Sequence, residues 1–92
     1  MTSQSVTVVN SLGLHARAAA RFVQTASAFE SRIRVARDNR VMDGKSIMGI
    51  LLLAAPRGTV ITIMAEGADE QAAVDALRKL VETGFGEGSW SA

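Results

Sequence analysis

The residues with the clearest chemical potential lie near the start of the chain, where the single histidine, His15, precedes Arg17 by two positions. An imidazole titrates near neutral pH and can act as a nucleophile, and a guanidinium binds phosphate oxygens through paired hydrogen bonds. His15 follows the turn Ser11-Leu12-Gly13-Leu14 and precedes an alanine-rich stretch with helical spacing. The first N–H groups of a helix have no acceptors within it and form a small anion site. We therefore predict that His15 is itself phosphorylated beside this anion site.

Other roles for His15 are disfavoured by the composition. A metal site would need further ligands, and the chain has no second histidine and no cysteine. A general base in a catalytic triad would need a nucleophile to activate, and the sequence singles out none. We expect neither a metal ion nor a cofactor. A lone histidine is most often structural, so the hypothesis depends on its position at the start of a helix.

The elements that must position these residues are indicated by hydrophobic spacing and by turn residues. Strands are predicted over 5–9, 32–37, 40–42 and 59–65, and helices over 16–29, 47–53 and 68–84. Each helix has one apolar stripe, and the sheet needs a single cover. The order β-α-β-β-α-β-α predicts an α+β fold. This is an open-faced β-sandwich, a four-stranded antiparallel sheet covered on one face by three helices.

The length of the chain, 92 residues, allows one hydrophobic core. We assign residues 1–84 to a single domain and residues 85–92 to a flexible C-terminal tail, in which Phe85 or Trp90 could dock on the core. The sequence does not begin with a basic region and an apolar run, and its longest apolar stretch is too short to span a bilayer. We expect a cytoplasmic protein without membrane insertion.

The net charge of +1 points neither to nucleic acid nor to a membrane surface, although its distribution is uneven. Residues 1–45 carry seven basic and three acidic side chains, and residues 46–92 carry three and six, giving +4 and −3. A positive patch in the first half would favour acidic partners or phosphate. Arg32 and Arg34 are predicted on the exposed sheet face, but their strands contain no aromatic residue on which bases could stack. We expect no nucleic-acid partner.

Two motifs connect these features with a known family. Gly13-Leu14-His15-Ala16-Arg17 resembles the active-site signature of HPr, the histidine-containing phosphocarrier family of the bacterial phosphotransferase system. Gly44-Lys45-Ser46-Ile47-Met48-Gly49 resembles a second motif of that family, in the expected order. The resemblance extends over residues 5–83 without an evident gap.

This resemblance implies a carrier of phosphoryl groups rather than an enzyme with its own small substrate. His15 would accept the group on Nδ1 from phosphorylated enzyme I, which draws on phosphoenolpyruvate, and would pass it to an EIIA-type domain. Arg17 would help to hold it, and the chain would act as a monomer. Six further residues would form the docking surface for partners: Ala20, Arg21, Gln24, Ile47, Met48 and Leu51. For the last three of these, packing in the core is the alternative interpretation.

Ser46 has two compatible interpretations. A serine before an apolar helix is a favourable N-cap, because its hydroxyl accepts from exposed N–H groups. In part of the HPr family the matching serine is phosphorylated by an HPr serine kinase/phosphorylase, which the resemblance extends to Ser46 as a regulatory site. A phosphate there would add about −1.5 to −2 charges and would repel an acidic partner.

The sequence departs from the family pattern at Ala18, where proline is usual, and at Ala54, where glycine is usual. With the ending Phe85-Gly86-Glu87, these departures resemble alphaproteobacterial forms that serve a regulatory nitrogen-type branch. The alternative function is a non-catalytic regulatory adapter, which would bind partner proteins through Ile47, Met48 and Leu51 while His15 is idle.

Overall fold

Over the part of the chain that the structure describes, the protein folds into four strands and three helices in the predicted order. The computed structural model describes residues 1–89, so Trp90, one of the two aromatic residues predicted to dock, lies outside the described residues. The elements are β1 (Thr2–Thr7), α1 (Ala16–Ala26), β2 (Arg32–Arg37), β3 (Arg40–Asp43), α2 (Ile47–Leu53), β4 (Val60–Glu66) and α3 (Glu70–Glu82). A short 3₁₀ segment, Gly84–Ser89, follows α3.

The four strands form one antiparallel sheet in the order β1-β4-β2-β3. The strands β4 and β2 are central, and their alternate residues, among them Ile61, Ile63 and Val35, are buried under the helices. Arg32 and Arg34 project from the other face and are exposed, opposite Glu66 and Asp43 in the register. This arrangement confirms the α+β fold with one covered and one bare sheet face.

Two boundaries differ from the sequence prediction by three residues, and the others differ by two at most. The strand β1 begins at Thr2 rather than at Ser5, because polar residues 2–4 still pair with residues 63–65 of β4 through backbone hydrogen bonds. The helix α1 ends at Ala26, three residues earlier than the apolar spacing predicts. Phe29 is still packed against the core, but as part of a turn in which its N–H donates to the Ala26 carbonyl. Because Phe29 faces the core, it continued the apolar spacing of α1, and the predicted helix was three residues too long.

The segment after α3 packs more closely than a flexible tail would. Gly84, Phe85 and Gly86 all have positive φ, at 67°, 57° and 73°. These three successive left-handed residues turn the chain back against α3 and α1. Phe85, which the sequence analysis placed in the tail as one of two aromatic residues that could dock, is thereby fully buried in the core. Burial of an aromatic ring offsets the cost of its left-handed backbone.

Two neighbouring carboxylates at the start of α3, those of Asp69 and Glu70, bind the segment before β2 and the first residue of β1. Asp69 accepts hydrogen bonds from the Ser31 hydroxyl and from the N–H groups of Glu30 and Ser31, both at 2.9 Å, which lowers its pKa. Glu70 accepts from the Thr2 hydroxyl at 2.6 Å and from the Gly67 N–H at 3.2 Å. These bonds, with the N-terminal ammonium 3.1 Å away, lower the pKa of Glu70 to about 2.

The longest helix, α3, has 13 residues. Among residues 1–89, no helix combines the length and the apolar character that crossing a bilayer requires.

Candidate functional site

His15 is the N-cap residue of α1 and is half-buried. Its backbone is extended, with φ −77° and ψ 178°, and its carbonyl accepts the first helical hydrogen bond from Ala19 at 2.8 Å. The imidazole does not accept a hydrogen bond from the first N–H groups of α1, so His15 caps the helix with its backbone and not with its side chain. The first turn of α1 contains no acidic residue that would neutralise its positive end. The histidine therefore stands beside an electropositive helix start, as predicted.

Two hydrogen bonds to backbone groups of the loop that carries His15 hold this loop in place just before the histidine. The buried Asn10 donates from Nδ2 to the Gly13 carbonyl at 2.6 Å, and the Leu14 N–H donates to the Ala55 carbonyl at 3.0 Å. Gly13 has φ +66°, and a Cβ at this position would lie 2.5 Å from the Ala55 oxygen. Only glycine fits this close approach. The sequence marked the turn, but it could not identify Ala55 as its support.

The predicted α1 residues share the solvent side of the helix. Arg17, Ala20, Arg21 and Gln24 are all exposed, whereas Ala18 and its neighbours on the apolar stripe are buried. The exposed positions are three or four residues apart, the spacing at which helical side chains share a face. Since α1 begins at Ala16, the alanine at position 18 sustains the first turn without the proline usual there.

Ser46 is the N-cap of α2. Its backbone is extended, with φ −116° and ψ 118°, and its Oγ accepts from the Gly49 N–H at 3.0 Å. The side chain is half-buried. The capping role predicted from the sequence is confirmed, and the hydroxyl lies at the edge of the exposed part of α2.

The apolar residues of α2 divide between the core and the surface. Ile47 is 46% exposed and Met48 is 64% exposed, whereas Leu51 is half-buried and packs against the core. Leu52 is 53% exposed and was missed in the sequence analysis. Its position four residues after Met48 is the signal that could have found it, because such residues share a helix face. Leu12, in the turn that precedes His15, is 68% exposed.

The helices α1 and α2 pack against one another, so the basic and apolar residues lie on neighbouring elements. Within residues 1–89, no group of three or more histidine, aspartate or glutamate side chains could hold a metal ion. The arrangement is an imidazole at a helix start with a cation in the same turn and an exposed apolar surface on the adjoining helix. It can bind an anion and a protein surface together.

The family model described as PTS HPr component phosphorylation site matches residues 2–83. The chain belongs to the HPr family. The HPr phosphocarrier protein of Neisseria meningitidis is 50% identical over 88 residues, which cover 96% of this chain and 99% of the relative. The phosphocarrier protein HPr of Cupriavidus necator is 47% identical over the same coverage. These relatives confirm the resemblance over nearly the whole chain.

A solved HPr structure shows the same architecture. The crystal structure of HPr-C-His from Thermoanaerobacter tengcongensis superposes with a TM-score of 0.91 at 49% sequence identity, covering 95% of this chain and 98% of that one. Family membership and fold together establish a phosphocarrier protein of the phosphotransferase system.

Proposed function

We propose that His15 accepts a phosphoryl group from phosphorylated enzyme I, supplied by phosphoenolpyruvate, and passes it to an EIIA-type domain. The observation that carries this proposal is the position of His15 as the N-cap of α1, beside the N–H groups of the helix start, which have no acceptors within the helix. The absence of acidic residues in the first turn supports it, because a carboxylate there would repel the incoming phosphoryl group.

The transfer uses groups at the start of α1. The Nδ1 lone pair of the neutral imidazole attacks phosphorus, the Nδ1–P bond forms, and the bond between phosphorus and the donor breaks with its electron pair leaving on the donor. The helix start stabilises the negative charge of the transferring group. Arg17 is exposed in the same turn and adds a guanidinium for the phosphoryl oxygens. In a second displacement the acceptor forms a bond to phosphorus, and the Nδ1–P bond breaks with its electron pair returning to His15.

The docking surface consists of the exposed α1 residues Ala20, Arg21 and Gln24 with Ile47 and Met48 of α2. Its centre is apolar and its α1 side carries positive charge, which suits an apolar partner surface edged by acidic residues. Leu51 is half-buried, packs against the core and supports this surface from the inner side of α2. Leu52 extends the exposed stripe of α2. Both partners must reach His15, so they would bind the same surface in turn.

Incubation of the purified chain with enzyme I and labelled phosphoenolpyruvate tests the role of His15. The wild-type chain is expected to gain one phosphoryl group that is labile in acid and stable in base, as a phosphorus–nitrogen bond should be. His15→Ala should lose at least 99% of the label, whereas Ser46→Ala should label like the wild type. Equal labelling of His15→Ala would refute the proposal.

We further propose that Ser46 is a regulatory phosphorylation site for an HPr serine kinase/phosphorylase. Its Oγ already accepts from the Gly49 N–H, so a phosphate on this oxygen would lie at the positive end of α2. The added negative charge would stand beside Ile47 and Met48 and weaken the docking of an acidic partner. Incubation with the kinase and ATP should label the wild-type chain, but not Ser46→Ala.

For the downstream route, we propose the regulatory nitrogen-type branch. The support comes from Ala18, Ala54 and the ending Phe85-Gly86-Glu87, which resemble forms that serve this branch. Transfer from the phosphorylated chain to a nitrogen-type EIIA domain should be at least ten times faster than transfer to a sugar-type EIIA domain. The reverse preference would assign the chain to sugar uptake.

A regulatory adapter is the second candidate, favoured by the exposure of Ile47 and Met48. An adapter would retain its partners when His15 is replaced, and would need no phosphoryl transfer. Pull-down experiments with the wild-type chain and with His15→Ala distinguish the two functions if they are combined with the labelling experiment above. A chain that binds partners but takes no label would be an adapter.

We propose that the chain works in the cytoplasm. We also propose that it works as a monomer, because each partner needs access to the same α1 and α2 surface. One solved relative, with a TM-score of 0.76 and 49% identity, is described as an HPr dimer from Thermoanaerobacter tengcongensis. Analytical ultracentrifugation at micromolar concentration should give the mass of a single chain, and a dimer mass would contradict this part of the proposal.

A further inference from the structure

We propose that Arg37 and Arg40, on the β2–β3 hairpin, are positioning residues for His15. They hold the end of α2, and the residues that follow α2 hold the loop that carries His15. This inference rests on the proposed function of His15 and extends the phosphoryl-transfer site to side chains remote from it in sequence.

Both arginines donate hydrogen bonds to the last carbonyls of α2. Arg37 Nη1 donates to the Leu53 oxygen at 2.7 Å and to the Ala54 oxygen at 2.8 Å, and Arg40 Nη1 donates to the Leu52 oxygen at 3.0 Å. The final carbonyls of a helix have no N–H donors within it and form its negative end. Two guanidinium groups thus bind three consecutive carbonyls, and their charge suits that end of the helix. We call Arg37 and Arg40 the arginine clamp.

The β2–β3 hairpin fixes the backbone positions of Arg37 and Arg40. Arg37 and Arg40 face each other in the register of β2 and β3, across the two-residue loop Asp38-Asn39. The strand β2 is hydrogen-bonded on both sides, to β4 and to β3. The Arg37 side chain is only 26% exposed, and its Nε lies 3.7 Å from the Asp38 carboxylate. Its guanidinium is therefore held by several contacts rather than extended into solvent.

The end of α2 is connected to the His15 loop by direct contacts. Ala54 takes a left-handed conformation, with φ 50° and ψ 40°, which reverses the chain direction after the helix. The next carbonyl, that of Ala55, accepts from the Leu14 N–H at 3.0 Å, and Gly13 lies against the same oxygen. Leu14 immediately precedes His15. A left-handed alanine is unfavourable by itself, so the clamp bonds to its own carbonyl and to the preceding one stabilise it.

Loss of the arginine clamp should therefore loosen the loop more than the core. If the turn at Ala54 relaxes, the Ala55 carbonyl moves away from Leu14 and His15 loses its fixed position at the start of α1. A displacement of about 1 Å at a reacting group can lower a rate by about 100-fold. Docking of partners should change less, because the α1 residues and Ile47 and Met48 at the start of α2 lie away from the carbonyls that the clamp binds.

The variants Arg37→Met and Arg40→Met remove the donors while retaining an apolar stem. Arg34→Met is the matched control, since Arg34 lies on the same strand but is exposed on the bare face of the sheet. Amide hydrogen exchange at Leu14 should become at least ten-fold faster in both clamp variants, while the amide of Ile63 in the core retains its protection. Unchanged exchange at Leu14 in both variants would overturn the inference.

Phosphorylation kinetics give the second measurement. In the clamp variants, kcat for transfer from enzyme I should fall about ten-fold with less than a two-fold change in KM, because positioning rather than docking is lost. Arg37→Lys retains an N–H donor at a slightly shorter reach and should recover part of the loss. If Arg37→Met does not fold, Arg37→Lys should show the same changes at reduced size. Clamp variants with the kcat of Arg34→Met would also overturn the inference.

The two proposals can fail separately. A wild-type chain that takes no label on His15 would refute the proposed function and, with it, the role of the arginine clamp. A labelled wild-type chain with unaffected clamp variants would refute the role of the clamp alone.

Discussion

At the scale of single residues, the chemistry depends on backbone conformations that only certain side chains permit. Gly13 and Leu14 hold the His15 loop against Ala55, and the close approach at Gly13 leaves no room for a Cβ there. The sequence predicts His15 and Arg17 as site residues because their side-chain chemistry is specific. It could not identify Ala55, whose contribution is a backbone oxygen that any residue would supply.

Gly13→Ala should lower the stability of the fold more than Gly58→Ala does. At Gly13 the new Cβ would meet the Ala55 oxygen at 2.5 Å and the Pro56 Cα at 2.9 Å, whereas at Gly58, with φ +91°, it would meet nothing within 4 Å. We expect the free energy of unfolding to fall by about 2–4 kcal/mol for Gly13→Ala and by about 1–2 kcal/mol for Gly58→Ala. Urea denaturation followed by circular dichroism measures both, and equal losses would contradict this account.

At the scale of elements, α2 shows how much of a short helix is decided at its ends. Its seven residues contain no charged side chain, and both ends are satisfied from outside, by Ser46 before it and by the arginine clamp after it. The cap was predictable from the serine that precedes an apolar run. The clamp was not, because it joins residues 12 to 17 positions apart that only the folded hairpin brings together.

Ser46→Ala should lower the free energy of unfolding by about 1 kcal/mol, because the Gly49 N–H loses its acceptor. Ser46→Asp keeps an acceptor and adds a negative charge at the positive end of α2, so its stability should match or exceed that of the wild type. Its affinity for enzyme I should nevertheless fall several-fold, which titration calorimetry can measure. Ser3→Ala, at an exposed serine of β1, is the control and should change neither quantity. A stable Ser46→Ala would show that the cap is dispensable.

At the scale of the whole molecule, the alternation of apolar and polar residues was sufficient to predict the architecture. The burial of alternate β4 residues and the apolar stripes of α1 and α3 place all three helices on one face, as predicted. Sequence reasoning was weakest where packing depends on partners distant in the chain. Phe85 was assigned to a glycine-rich tail in which it or Trp90 could dock on the core, and the structure buries Phe85, because the neighbouring glycines allow the chain to turn inward.

The carboxylates of Asp69 and Glu70 tie α3 to β1 and to the segment before β2, and this makes the fold sensitive to acid. Their pKa values are lower in the folded chain than the ordinary 3.8 and 4.5. Their stabilising effect is therefore present above about pH 5 and is lost as the pH falls, down to about pH 2 for Glu70. The melting temperature should decline steadily over this range.

Glu70→Gln tests this prediction. It should reduce the proton uptake that accompanies unfolding by up to about one proton between pH 5 and pH 2. Asp69→Asn should act in the same direction. Glu30→Gln, at an exposed carboxylate whose side chain accepts none of these bonds, is the control and should leave the pH dependence unchanged. Melting curves at several pH values measure the effect, and a wild-type profile for Glu70→Gln would contradict it.

The bare face of the sheet also has a practical consequence. Because the helices cover only the opposite face, a covalent attachment at an exposed β1 position such as Ser3 would leave α1 and α2 accessible. The chain has no cysteine, so Ser3→Cys would introduce a unique thiol. Copies immobilised through that thiol on a sensor surface would all share one orientation, with His15 turned toward the solution.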